Sequence, residues 1–252
     1  MVSVKKPLTE KEPGKGQASG RCDYDVLFFS AHPDDAEFGA GGTLLLLAKK
    51  FKVANIILTR GEAGTYGTPE IREKETGSAA RLAGIDFEFL DFRDNFVEDN
   101  AENAHMIAHV IRKYRPRIIF APYHTNSSSH LDGVSHPDHT ATGSLVLKAA
   151  RFAKFKNARL KGEAHAARRI VYFMVPRYTK PSLIIDVSQA ASSLKKLWAC
   201  HKSQVQNLAK GKLEERLLSS RRALGQLAGV SYAEGFLVEE PLRIDEDWLF
   251  KI

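Results

Sequence analysis

Two rhythms of apolar and polar positions run along the chain. Short, nearly unbroken apolar runs at Tyr24–Ser30 (YDVLFFS), Val53–Thr59 (VANIILT), Ile85–Leu90 and Arg117–Ala121 (RIIFA) predict strands buried on both faces. Between them, Gly39–Lys50, Pro69–Leu82 and Glu102–Tyr114 carry their apolar residues at helical spacing, with Pro69 in a first turn. A long polar loop, Pro122–Pro137, precedes a further predicted helix from Asp138 to Lys154. Later runs at Ile170–Val175 and Leu183–Val187 predict two more strands, followed by helical stretches over Ser188–Ala209 and Leu213–Leu227.

Strands that alternate with helices imply right-handed βαβ units. The expected fold class is therefore α/β, a Rossmann-like, mainly parallel sheet flanked by helices. In such sheets ligands sit outside the carboxyl ends of the strands, so an active site is expected there. Residues 1–22 are polar, rich in Gly, Pro and Lys, and lack an apolar secretory core; they read as a disordered or loosely docked tail before a domain of residues 23–252. No repeat or convincing linker interrupts that domain.

Charge sharpens the picture. The 252 residues carry 37 Lys+Arg against 30 Asp+Glu, a formal net charge of +7. That balance alone would nominate a nucleic-acid or acidic-surface binder. The excess is local, however: residues 1–22 net +3, residues 150–169 and 195–225 net +6 each, and residues 23–149 net −5. No aromatic RNA-binding motif or helix-turn-helix pattern accompanies it, so no nucleic-acid partner is expected; salt-sensitive binding to DNA or RNA would mark that rival reading. No apolar run is long enough to predict a membrane span. Two cysteines, Cys22 and Cys200, make no disulfide framework, which fits a reducing, cytoplasmic location.

The chemistry concentrates at two strand ends. Ala31-His32-Pro33-Asp34-Asp35 follows the first strand, and Ser135-His136-Pro137-Asp138-His139 closes the loop after the fourth. Imidazole and carboxylate are the non-thiol ligands of zinc, and a catalytic zinc takes three of them. Proline stiffens each turn, so side chains at i and i+3 (His32 with Asp35, His136 with His139) can converge. Any single Asp here, taken alone, reads better as a helix cap. Two His-Pro-Asp tripeptides at two ends of one sheet favour a metal site.

This pair of motifs resembles the signature of the PIG-L/LmbE-like zinc N-deacetylases, which remove acetyl from N-acetylglucosamine (GlcNAc) conjugates. The likeness extends through HPDDAEFGAGGTL at 32–44, Arg72 and Glu75 in IREKE, IIFAPY at 118–123, KPSLIIDVS at 180–188, HKSQ at 201–204 and GVSYAEGF at 229–236. The later pieces look most like the branch that deacetylates N-acetylglucosaminyl-malate in bacillithiol synthesis. The resemblance implies one Zn2+ per subunit on His32, Asp35 and His139, with other divalent metals as alternatives. It implies Asp34 as general base toward the attacking water and His136 as an imidazolium facing the substrate. Asp138 would orient His136 or tune its pKa. Arg72 and Asp94 match sugar-contacting positions, and Glu62, in the GEAGTYG loop, is a further candidate to line the pocket. The implied partner is a small-molecule GlcNAc conjugate, and the family includes homo-oligomers.

Two features depart from that pattern. Ser135 stands where the bacillithiol-type enzymes carry an arginine, and the preceding loop (123–134) is longer and polar. Arg60, Arg93 or a residue of that loop would have to replace it, or the aglycone differs. Gly39, Gly41 and Gly42 come too late after the strand for a dinucleotide loop and read as close helix packing. His105 and His109 read as a solvent-facing pair.

Overall fold

A computed structural model of the chain describes residues 23–125, 136–176, 179–208 and 212–242. The tail 1–22, Ser135 and most of the polar loop before it lie outside the described residues.

Five parallel strands form the central sheet in the order β3-β2-β1-β4-β5. They are β1 (Tyr24–Ser30), β2 (Val53–Thr59), β3 (Asp86–Phe92), β4 (Pro116–Pro122) and β5 (Arg169–Phe173). The crossovers are α1 (Asp35–Ala48), α2 (Pro69–Ala83), α3 (Ala101–Tyr114) and α4 (Pro137–Ala153). The α/β expectation holds, and the apolar runs explain it. Alternate side chains of each strand face opposite layers. Leu27, Phe29, Ile56, Leu58 and Ile119 meet Ile107, Ile111 and Leu145 of α3 and α4. Val26, Phe28, Phe120 and Phe173 pack with Ala36, Ala40 and Leu44 of α1.

After β5 come β6 (Leu183–Asp186), α5 (Ala191–Trp198), α6 (Lys202–Val205), α7 (Leu213–Ala228) and β7 (Ala233–Phe236). β6 and β7 pair antiparallel, and Leu237 exchanges two backbone hydrogen bonds with Tyr172 of β5, joining the pair to the main sheet's edge. Two expectations are corrected here. The stretch Ser188–Ala209 is not one helix: a 3₁₀ turn (Ser188–Ala190) leads into α5, and the chain then turns at buried His201 before α6. β7 is a strand that no apolar run in the sequence predicts.

Helix α1 begins at Asp35, four residues before the sequence pattern suggests, and is interrupted at Ala40 (φ −144°). The carboxylate of Glu234, on β7, accepts hydrogen bonds from the Gly42 and Thr43 amides at 2.9 and 2.8 Å. It acts as the N-cap of the second half of the helix, and buried Arg221 of α7 neutralises it at 2.7 Å. A Cβ on Gly42 would sit 2.6 Å from the Val187 Cβ, so this glycine serves close packing.

β1 and β4 are neighbours whose helices leave in opposite directions along the sheet order. Their carboxyl ends border the crevice where such folds bind ligands.

Candidate active site

Both His-Pro-Asp segments reach that crevice. In the first, the His32 amide donates to Asp35 Oδ2 at 2.8 Å, which folds the tetrapeptide into a tight turn. The turn places Asp34 in a left-handed backbone (φ 111°), a conformation Asp tolerates better than bulkier residues. In the second, His136 caps α4: its Nδ1 accepts the Asp138 amide at 3.2 Å, and Pro137 occupies the first helical position.

The turns bring His32, Asp35 and His139 together. His32 Nδ1 lies 3.2 Å from His139 Nε2, His139 Nε2 lies 3.1 Å from Asp35 Oδ1, and His32 Nδ1 lies 3.7 Å from Asp35 Oδ2. A tetrahedral ion with bonds of about 2.0–2.2 Å separates neighbouring donors by about 3.3–3.6 Å. The three donor groups therefore converge at separations of 3.1–3.7 Å, close to the spacing one such ion requires, with Asp35 facing His139 through Oδ1 and His32 through Oδ2. The other face of the His32 ring is held as well: Nε2 sits 3.1 Å from Asp94 Oδ1 and 3.4 Å from Asp138 Oδ2. A proton on Nε2 satisfies those carboxylates and leaves the Nδ1 lone pair for a cation.

The electrostatics of the cluster favour a cation. Burial pulls the His32 imidazolium down, but Asp138, Asp35 and Asp94 outweigh it and push the pKa up to about 12. Asp35 is raised by burial, yet His139 and His32 hold it well below the usual carboxylate range. The buried acids Asp34, Asp35, Asp94 and Asp138 converge here with one guanidinium, Arg72. The nitrogen and carboxylate donors fit zinc, and the same set accepts iron, cobalt or manganese.

Asp34 stands beside the cluster, 7% exposed. Burial raises its pKa to about 6, against the pull of Arg72. Arg72 Nη2 donates to Asp34 Oδ2 at 3.1 Å and to the Pro33 carbonyl at 2.8 Å, while Nη1 donates to the Gly61 carbonyl at 3.2 Å. Arg72 thus engages one oxygen of Asp34, Oδ2.

Most of the candidate side chains also hold the protein's own groups. Arg72 is buried rather than solvated: Nη1 and Nη2 donate to Asp34 and two carbonyls, while Nε has no partner among the described residues. Asp94 also has both oxygens engaged by protein, one by His32 and one by the Ala63 amide at 2.9 Å. Glu62 is exposed, and its Oε1 accepts the Asp94 amide at 2.7 Å, so it buttresses that loop. Asp138 does not place its carboxylate on His136: it accepts from the Asn95 and Val97 amides and faces His32. Burial and the neighbouring His32 and His139 lower the pKa of His136, which works against the imidazolium expected there. With Nδ1 accepting a backbone N–H, its proton belongs on Nε2.

The sequence assigns no role to the support behind Asp34. Buried His201 lies 3.9 Å from Glu37 Oε1, one turn along α1, while Ser203 donates twice to Glu75 and Gln204 donates to the Tyr66 carbonyl. The HKSQ segment thus ties α2 and the 61–67 loop together. The motif is visible in the sequence; its partners are not. A separate cavity of about 1070 Å³, lined by Phe38, Met174, Pro181, Arg216 and Leu224 among others, opens beside α7 and includes none of the cluster residues.

The profile of the family described as "PIG-L: GlcNAc-PI de-N-acetylase" matches residues 27–150. A diacetylchitobiose deacetylase of Thermococcus kodakarensis is 28% identical over 225 residues, covering 83% of this chain and 81% of the relative. A probable N-acetyl-alpha-D-glucosaminyl L-malate deacetylase 2 of Bacillus subtilis is 27% identical over 208 residues, 76% of this chain and 88% of the relative. Among solved structures, a conserved protein of Thermus thermophilus superposes with a TM-score of 0.80 at 34% identity, covering 88% of this chain and 98% of its own.

Proposed function

This chain belongs to the PIG-L family of GlcNAc-PI de-N-acetylases, and from that premise we propose that it hydrolyses the acetamide of a GlcNAc conjugate at a divalent metal, zinc in the first instance, with N-acetylglucosaminyl-malate as the leading substrate. The observation that carries the reading is the trio His32, Asp35 and His139 at metal-donor spacing beside a buried Asp34 of raised pKa. Diacetylchitobiose is the second substrate to test, because a relative named for that activity aligns with most of this chain.

A divalent ion held by His32 Nδ1, Asp35 and His139 Nε2 would polarise the acetamide carbonyl and acidify a water. Asp34, with a pKa near 6 and Arg72 on its Oδ2, takes the proton of the attacking water near neutral pH. The Nε2–H of His136 donates to the carbonyl oxygen as negative charge builds there. Asp34 then returns its proton to the departing nitrogen, giving free amine and acetate. Asp94 and Asp138 fix the His32 ring, and Arg72 fixes the Asp34 carboxylate.

The test is acetate release from both substrates by the metal-loaded protein. Asp34→Asn should abolish release while the bound metal stoichiometry stays unchanged. Full activity in that variant, or purified protein that binds no divalent metal, would overturn the reading.

A further inference from the structure

We propose that Arg93 and Phe96 form the subsite for the portion of the substrate beyond the acetamido sugar, and that this subsite takes a carboxylate; the inference rests on the deacetylase reading above and names the class of aglycone.

The loop between β3 and α3 is bound to the metal cluster at three points. Asp94 faces His32, the Asn95 amide donates to Asp138 at 2.8 Å, and the Val97 amide donates to the same carboxylate. Asp94 and Val97 are consequently buried, and Arg93, Asn95 and Phe96 are left exposed at the rim. Asn95 takes a left-handed backbone (φ 66°) to make this possible. The Arg93 Cζ then lies 3.9 Å from the centroid of the Phe96 ring, which is 56% exposed. A guanidinium stacked on a ring loses less freedom when it binds, and its in-plane donors stay open for a bidentate partner.

Neighbouring arginines are committed elsewhere. Arg60 pairs with Glu73 at 2.8 Å and Asp91 at 3.5 Å, and Arg72 is buried with its Nη atoms on Asp34 and two carbonyls. Arg93 has no carboxylate partner among the described residues. The acids nearest this loop are already engaged: Asp94 and Asp138 are buried against His32, and Glu62 accepts the Asp94 amide. An uncharged second sugar could hydrogen-bond this guanidinium but would supply no counter-charge. The chemistry therefore favours a carboxylate-bearing aglycone.

The experiment uses the GlcNAc glycoside of malate and its dimethyl ester, which differ only in charge. Direct calorimetric binding of each to the metal-loaded protein is measured alongside acetate release. The wild-type protein should bind the free acid at least about tenfold more tightly than the ester, the range of a charge-assisted bidentate pair. Arg93→Ala should reduce that ratio to near one, and Phe96→Ala should lower it by removing the platform. Equal binding of acid and ester by the wild type, or an acid preference that survives Arg93→Ala, overturns the inference. Binding with the predicted preference but no acetate release from either glycoside would instead sink the deacetylase reading and leave the subsite standing.

Discussion

Replacing Arg72 by methionine removes the buried cation and keeps most of the side-chain volume. Arg72 and Asp34 are 7% and 9% exposed at the side chain and meet at 3.1 Å. Deleting one partner of such a pair leaves the other charged in a dry site, which costs about 3–5 kcal/mol. A carboxyl whose pKa is about 6, against an ordinary value of 3.8, already costs roughly 3 kcal/mol more to ionise than one in water. Without the guanidinium that cost rises, and Asp34 will bind a proton at pH 7. Its value as a base near neutrality goes with it, so the acid limb of the kcat/KM profile should move to higher pH. The thermodynamic signature lies in the double variant. With Asp34→Asn the carboxylate is gone, so adding Arg72→Met should cost far less than it does in the wild type, with a coupling energy of about 2 kcal/mol or more. Urea denaturation of the metal-stripped protein, wild type and three variants, measures that coupling directly. Additive destabilisation, with a coupling below about 0.5 kcal/mol, would refute the claim that Arg72 acts through Asp34.

The same geometry makes three other outcomes measurable. Removing the metal with a chelator should abolish acetate release and re-adding zinc should restore it; His139→Ala should lose metal by elemental analysis even without chelator, and retention of a full equivalent would displace His139 from the donor set. A Cβ at Gly143 would lie 2.2 Å from the Pro122 carbonyl oxygen and 2.9 Å from the His124 nitrogen; Gly143→Ala should therefore push α4 off β4 and cost about 1–3 kcal/mol, read as a lower denaturation midpoint. Burial alone would lower the pKa of His201, but the Glu37 carboxylate raises it above its ordinary value of 6.5. A raised histidine pKa gives stability that is full below about 6.5 and lost as pH rises through the folded value. The stability gap between wild type and His201→Asn should accordingly shrink from pH 6 to pH 9; a gap that does not change with pH would remove His201 from the charged state.

The strands were legible because a doubly covered parallel strand has to be apolar along its whole length, and YDVLFFS and VANIILT are nearly so. The two His-Pro-Asp turns were legible because proline and metal-capable side chains share a fixed local spacing. Partnerships across the fold were not. Nothing near Asp138 says that its carboxylate meets His32 and the Asn95 amide while only its own N–H meets His136. Nor does the sequence around Arg72 say that a neighbouring turn will present Pro33, Asp34 and Gly61 to it. The segment 188–209 contains no Gly or Pro to mark its break at His201, which is set by burial against Glu37 and Phe38. β7 is hard to read because AEGF carries a charge and a glycine where a buried strand should be apolar; the charge is there for α1 and Arg221.

That last contact ties the two ends of the domain together in time as well as space. Every residue of the cluster, up to His139, is translated long before Glu234. At typical synthesis rates of about 5–20 residues per second, the interval is roughly 5–20 s. During it the second half of α1 has no acceptor for the Gly42 and Thr43 amides, and the helix that carries Asp35 is unfinished. The expectation is that metal capture is a late event, following the docking of β7 rather than the folding of the sheet. Nascent chains stalled before Ala233 should then fail to retain zinc under conditions where chains stalled beyond Phe236, outside the ribosomal tunnel, retain it.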